Sequence, residues 1–209
     1  MFEKVIMEAM ASGLKECAYP SCCLGKTYGG ISVIVSRLES VDTRLLYLIH
    51  NGVRCTILDR ILPFLTNSAG ATAAISLAIL ILSAGLVSGF SVITETGLRM
   101  AAALATSHLV VHSIKRFANR ARPAKTLNIR DYHVAICAYS FPSGHSSAAF
   151  ALAACLLPIG FAVGLPAILW AGTVAFSRMY LGLHYTTDVV AGVLIGSFFG
   201  TLACGLINL

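Results

Sequence analysis

The sequence predicts an all-α membrane protein, a bundle of about five transmembrane helices, and three observations carry that prediction. Hydrophobic residues make up 57% of the 209 positions and charged ones only 11%, against roughly a quarter charged in soluble domains. A soluble globule of this size could not cover itself with polar side chains. Five stretches approach the roughly 20 apolar residues a spanning helix needs, and all five are rich in Ala, Gly and Ser, which let helices pack closely in lipid.

The first 67 residues differ in kind. They hold seven Lys or Arg, six acidic residues and no uncharged run of 18, so residues 1–67 are read as a non-spanning segment and 68–209 as the transmembrane domain. Between Ile31 and Ile49, Ile34, Leu38, Val41, Leu45 and Leu48 recur at helical spacing, with Arg37, Glu39 and Arg44 among them. Val53, Ile57, Ile61 and Leu65 form a second stripe, limited by Pro63. The pattern predicts two amphipathic helices, lying at the membrane interface or against the bundle. Charges run through "MFEKVIMEAMASGLKECAYP", where a signal peptide needs an apolar core, so the mature chain is expected to start near Met1.

The five spans follow. Ser68 to Phe90 is uncharged and rich in Ala, Ile and Leu; Gly97 to Ile114 is shorter, with Arg99 near one end, from which it can snorkel to the interface. His145 to Val163, Leu165 to Tyr180 and Thr187 to Leu206 complete the set, separated by Pro166 and by a polar turn around Gly182. His108 and His112, at i,i+4 spacing, are expected to face the bundle interior, with a metal pair as the alternative. Trp170 and Tyr180 fit interface anchoring. Seven cysteines, at 17, 22, 23, 55, 137, 155 and 204, show no CxxC or zinc-site spacing. Cys155 and Cys204 read as small core residues, while Cys17, Cys22 and Cys23 could pair or bind metal.

Counting spans places the loop 115–144 and the turn 181–186 on one membrane face with the N-terminal segment. That loop begins "KRFANRARP", and residues 115–131 hold six basic residues and one acid. A basic loop is either an orientation signal or a phosphate site, and a net charge of +6 fits anionic headgroups or a phosphate substrate alike. "FPSGHSS", Phe141 to Ser147, opens the third span. Its turn leaves backbone N–H groups pointing outward, which suits an anion; Ser143 is either a hydroxyl donor or a plain N-cap, and His145 either a proton donor or an interfacial residue. In "SRMYLGLHYTTD", Ser177 to Asp188, the carboxylate four residues beyond His184 would sit beside its imidazole on a helix. It would fix the tautomer and leave the other nitrogen free to attack. Arg178 adds a bidentate donor for phosphate oxygens.

Lys115 with Arg122–Pro123, then Pro142–Ser143–Gly144–His145, then Ser177–Arg178 with His184 and Asp188 resemble the three-part signature of the type 2 phosphatidic acid phosphatase family. The likeness covers about residues 60–209. Eleven specified positions, each expected at roughly one in twenty by composition, fall in the right order.

The resemblance implies a phosphatase with His184 as nucleophile, Asp188 orienting it, and His145 protonating the leaving oxygen and then activating water. Lys115, Arg122, Ser143, Gly144 and Arg178 would hold the phosphoryl oxygens. It implies no metal and no cofactor, and its partners would be a lipid phosphate and the bilayer, not nucleic acid. The short five-span layout resembles bacterial polyprenyl-diphosphate phosphatases, whereas larger relatives have six spans. Thr186 stands where many relatives carry proline. Arg116, Arg120, Lys125 and Arg130 are expected to meet lipid headgroups or a second substrate phosphate. All Lys and Arg except Arg99 fall on the motif face, which the positive-inside rule places in the cytoplasm; the resemblance implies an outward-facing site. The readings weighed against a lipid phosphatase are an anion or lipid transporter with the same basic pocket, and a catalytically dead relative.

Overall fold

The computed structural model describes residues 29–127 and 139–207, with side chains from residue 37 onward. Cys17, Cys22, Cys23, Cys137 and Arg130 lie outside the described residues. In chain order the helices are α1 (Gly29–Gly52), α2 (Thr56–Asn67), α3 (Ala71–Ser88), α4 (Ser91–Ala118), the single turn α5 (Pro123–Thr126), α6 (Gly144–Leu156), α7 (Phe161–Tyr180) and α8 (Thr186–Leu206). A compact unit runs from Ser40 to Leu209 and includes the end of α1 and all of α2.

All five predicted spans are helical. Among the described residues α3, α7 and α8 are long and apolar enough to cross a membrane, while α6 with its 3-10 extension, Gly144–Ile159, is apolar but shorter. At 28 residues, α4 is longer than expected, and it is charged in both end regions. Arg99 does not snorkel: its Nη2 lies 2.6 Å from Glu95 Oε2, its Nε donates to Ile207 O at 2.8 Å, and both charged side chains are largely buried. The break between α6 and α7 falls at Gly160, whose φ of 137° suits glycine, rather than at Pro166, which lies inside α7.

Small residues fill the interior. Ala74, Ala78, Met100, Ala103, Ala151, Leu152 and Cys155 form one cluster, and Ala149, Ala153, Ala167, Ala171 and Val174 another. Large side chains such as Ile79, Leu80, Leu109, Leu194 and Phe198 are exposed. A soluble fold would be destabilised by that distribution, whereas lipid solvates the outer residues and close helix packing stabilises the inner ones. The seam between α6 and α8 depends on Gly192, Gly196 and Gly200, each set against the backbone or a methyl group of α6.

The amphipathic helices are turned the opposite way from a soluble protein's. Leu38, Val41, Leu45 and Leu48 of α1 are exposed, and the buried stripe is Asp42, Leu46 and His50. In α2 Ile57 and Ile61 are exposed while Leu62 and Thr66 are buried. Leu62 shares a core cluster with Tyr180, Leu181 and Leu183. Tyr180 is therefore no interface anchor: it is buried, its hydroxyl donates to Asp59 Oδ1 at 2.8 Å, and its carbonyl O lies 2.7 Å from His50 Nδ1. Trp170 is partly buried and donates its indole N–H to Ser68 Oγ at 2.9 Å. His108 and His112 point outward rather than into the bundle, their rings stacked 6.2 Å apart.

Candidate active site

Helix ends bring the three sequence segments together. The last turn of α4 carries Lys115, and Asn119 then takes a left-handed conformation, φ 45°, that ends the helix. The chain returns beside itself through an Ala121–Tyr139 bridge and a bond from Ser140 N to Arg120 O at 2.7 Å. Arg122 precedes α5, with Pro123 at its first position. It is buried, and its Nη1 donates to Leu183 O at 3.0 Å and lies 3.4 Å from His184 Nε2. This joins the first segment to the third.

The second segment joins the third through backbone, since Ser143 N donates to Asp188 O at 2.9 Å. Ser143 is fully buried and N-caps α6, with its Oγ 2.9 Å from Ser146 Oγ. Its hydroxyl thus already has a protein partner. By helix geometry the first-turn N–H groups of Gly144 and His145 lack intrahelical acceptors. Arg178, His184, Lys115 and Arg122 are near enough to His145 to act on its charge, and its Nε2 approaches Gly70 at the start of α3.

Arg178 is buried near the end of α7. Its Nη1 donates to Thr66 Oγ1 at 3.0 Å, and its Nε has no hydrogen-bond partner. A buried guanidinium N–H without an acceptor is costly in a resting protein and suits a site completed by an anion.

His184 is not on a helix. It lies in the turn before α8, and Asp188 reaches back to it from the helix's first turn. Its Nδ1 is 3.6 Å from Asp188 Oδ2, beyond hydrogen-bond distance, and is unpartnered; such contacts commonly tighten when substrate binds. Asp188 is held by Tyr185 N at 2.9 Å, by the hydroxyl of Ser140, and by Arg120 Nη1 at 2.6 Å. Arg120 does not await a headgroup: it pairs with Asp42 at 2.8 Å as well, and its guanidinium lies 4.0 Å over the Tyr185 ring. Burial disfavours its charge, but Asp188 and Asp42 outweigh that and raise its pKa above the ordinary value. Arg116 is exposed and Lys125 is exposed at the protein surface. Thr66, Ser140 and Asp42 carried no signal in the sequence, because none belongs to a local motif.

Burial lowers the His184 pKa to about 3; Asp188 opposes the shift, and Arg178 and Arg122 add to it. The imidazole is therefore neutral near pH 7, with a lone pair available. Between the ordinary value of 6.5 and about 3, the unfolded chain binds the proton and the folded one does not, so this residue's contribution to stability is complete above 6.5 and lost as pH falls below it. In detergent, wild type should lose more Tm than His184→Gln between pH 7.5 and 4.5; equal losses would contradict a buried neutral imidazole.

The profile of the PAP2 superfamily matches residues 96–208, more than half of the chain. The chain belongs to the PAP2 superfamily. Undecaprenyl-diphosphatase BcrC of Bacillus subtilis is 30% identical over 154 residues, covering 73% of this chain and 75% of that protein. Lipid A 4'-phosphatase of Bacteroides thetaiotaomicron is 42% identical over 66 residues, 31% of this chain, and the match spans only 29% of that protein's length. The crystal structure of the first transmembrane PAP2 type phosphatidylglycerolphosphate phosphatase from Bacillus subtilis is similar with a TM-score of 0.69 and 26% identity, covering 81% of this chain and 85% of that one. This PAP2 chain is thus a multi-pass, all-helical membrane protein.

Proposed function

We propose that the chain is a metal-independent lipid phosphatase of a bacterial cytoplasmic membrane, acting on a polyprenyl diphosphate such as undecaprenyl diphosphate. One observation carries the reading: the buried His184 ring presents Nε2 to the Arg122 guanidinium at 3.4 Å while Nδ1 faces Asp188 at 3.6 Å. An anion that replaced Nε2 as the guanidinium's acceptor would lie beside the imidazole, within reach of its attack. Arg178, with its open Nε, Lys115 and the first-turn N–H groups at Gly144 supply further donors, and Ser143 shapes the cradle by capping α6.

In the first step the Nε2 lone pair attacks the terminal phosphorus. A P–N bond forms, the P–O bond to the leaving oxygen breaks, and His145, which takes up a proton when the substrate's negative charge binds beside it, gives that proton to the leaving oxygen. In the second step water attacks the same phosphorus, His145 takes the water's proton, and the P–N bond breaks to release phosphate and neutral His184. Fixed cations offset the charge that develops on the equatorial oxygens. The exposed apolar faces beside the site give a long lipid tail a place to remain in the bilayer. The likeness to undecaprenyl-diphosphatase BcrC supports the polyprenyl substrate, since it extends over 73% of the chain.

The test is phosphate release by the detergent-purified full chain from undecaprenyl diphosphate, phosphatidylglycerol phosphate and phosphatidic acid, compared by kcat/KM. Undecaprenyl diphosphate should lead by about tenfold or more, a difference of about 1.4 kcal/mol. A lead for either glycerolipid overturns the substrate assignment. Release from none of them overturns the enzyme reading, and a transporter with this pocket would still move its lipid after His184→Ala.

A further inference from the structure

Helix α1 lies outside the residues matched by the superfamily profile, which begins at 96, yet one of its side chains enters the site. Asp42 is 2% exposed. Its Oδ1 accepts Thr187 N–H at 3.0 Å, and its Oδ2 accepts the Thr187 hydroxyl at 2.5 Å and Arg120 Nη2 at 2.8 Å. It thus caps the N-terminus of α8 from another helix, supplying an acceptor where first-turn N–H groups need one. Arg120 spans the gap from Asp42 to Asp188, with Nη1 shared between Asp188 Oδ1 at 2.6 Å and Thr187 Oγ1 at 2.7 Å. Stacking on Tyr185 fixes the plane of the guanidinium.

The charges in this cluster have a use. Two carboxylates flank one guanidinium, leaving one net negative charge beside the neutral His184. Forming the P–N bond turns that imidazole cationic, and the cluster becomes balanced. If Arg120 faced Asp188 alone, its whole charge would fall on that carboxylate and weaken it as a partner for Nδ1–H. Asp42 takes a share of the guanidinium and holds it in place.

We propose that Asp42 and Arg120 are positioning residues, with Asp42 acting through Arg120 to fix Asp188 and so support His184 as it becomes phosphorylated. The proposal rests on the phosphatase reading, and its test separates the two. With the full chain and undecaprenyl diphosphate, Asp42→Asn should lower kcat about 10- to 100-fold, the scale of a small misplacement in a reacting group, while KM stays within about twofold. Asp42→Glu should recover part of the loss. In an Asp188→Asn background the further effect of Asp42→Asn should shrink to about twofold or less, because residues acting as a unit are non-additive. Equal losses in both backgrounds, or a rise in KM with kcat unchanged, overturn the proposal.

A second measurement does not depend on turnover. In thermal unfolding the Tm losses from Asp42→Asn and Asp188→Asn should be non-additive when Arg120 is present and additive once it is Met. Additive losses in both backgrounds overturn the network. A wild type that releases no phosphate sinks the phosphatase reading, and the unfolding cycle then decides whether the Asp42–Arg120–Asp188 linkage exists.

Discussion

His184→Ala is expected to lower kcat for phosphate release by about 10⁴-fold or more, the scale seen when a covalent nucleophile is removed. A fall of that size would also follow from a lost phosphate ligand, so the intermediate has to be trapped. Acid is the diagnostic condition: a phosphoryl group on an imidazole nitrogen is an acid-labile phosphoramidate, whereas one on serine or threonine is an acid-stable ester. Substrate labelled in its terminal phosphate and quenched in base should leave label on the wild-type protein, lost on acid treatment. His184→Ala should trap none. His145→Ala should form it slowly and hold it longer, because the proposed donor for the leaving oxygen is also the base for the attacking water. Label that survives acid, or label on His184→Ala, would assign the nucleophile elsewhere.

The signature residues were legible in the sequence because their relations are local. Lys115 and Arg122 bracket one turn-and-return, Pro142 to His145 is a single helix start, and Asp188 follows His184 by four residues. What each segment meets was less legible. Asp42 is 78 residues from Arg120, and Thr66 is 112 from Arg178; no spacing rule joins residues so far apart. Arg120 looked like a spare cation because its two carboxylates come from different helices.

Helix orientation was hidden for a different reason. In water the apolar stripe of a helix marks its protein-facing side, but lipid is as apolar as a protein core. The stripe Leu38, Val41, Leu45 and Leu48 therefore did not say which side of α1 packs, and the answer is the side with Asp42 and His50. For His108 and His112 polarity pointed inward, yet the helix places them outward. The buried face of α4 is occupied by Met100, Ala103, Leu104, Ser107 and Val111.

Gly196→Ala should be among the most damaging small substitutions in the chain. A Cβ at that position would lie 2.1 Å from Ser147 O, 2.9 Å from Ser147 C and 3.0 Å from Ala151 N. All three are backbone atoms of α6, so no side-chain rotation relieves the contact and the two helices must separate. Overpacking of this kind costs about 1–3 kcal/mol, which corresponds to a Tm lower by roughly 2–12 °C for a chain of this length. The displacement also reaches the site. Ser147 N donates to Ser143 O at 3.1 Å and Ser143 N donates to Asp188 O at 2.9 Å, so moving this turn of α6 pulls the phosphate cradle away from the start of α8. Gly196→Ala should therefore lower kcat as well as Tm. Gly172→Ala, inside α7, and Gly205→Ala, in the last turn of α8, meet nothing within 4 Å and should hold or slightly raise Tm. If Gly196→Ala unfolds with these two controls, the α6–α8 seam is wider than the structure has it, and the hydrogen-bonded link from cradle to nucleophile loses its support.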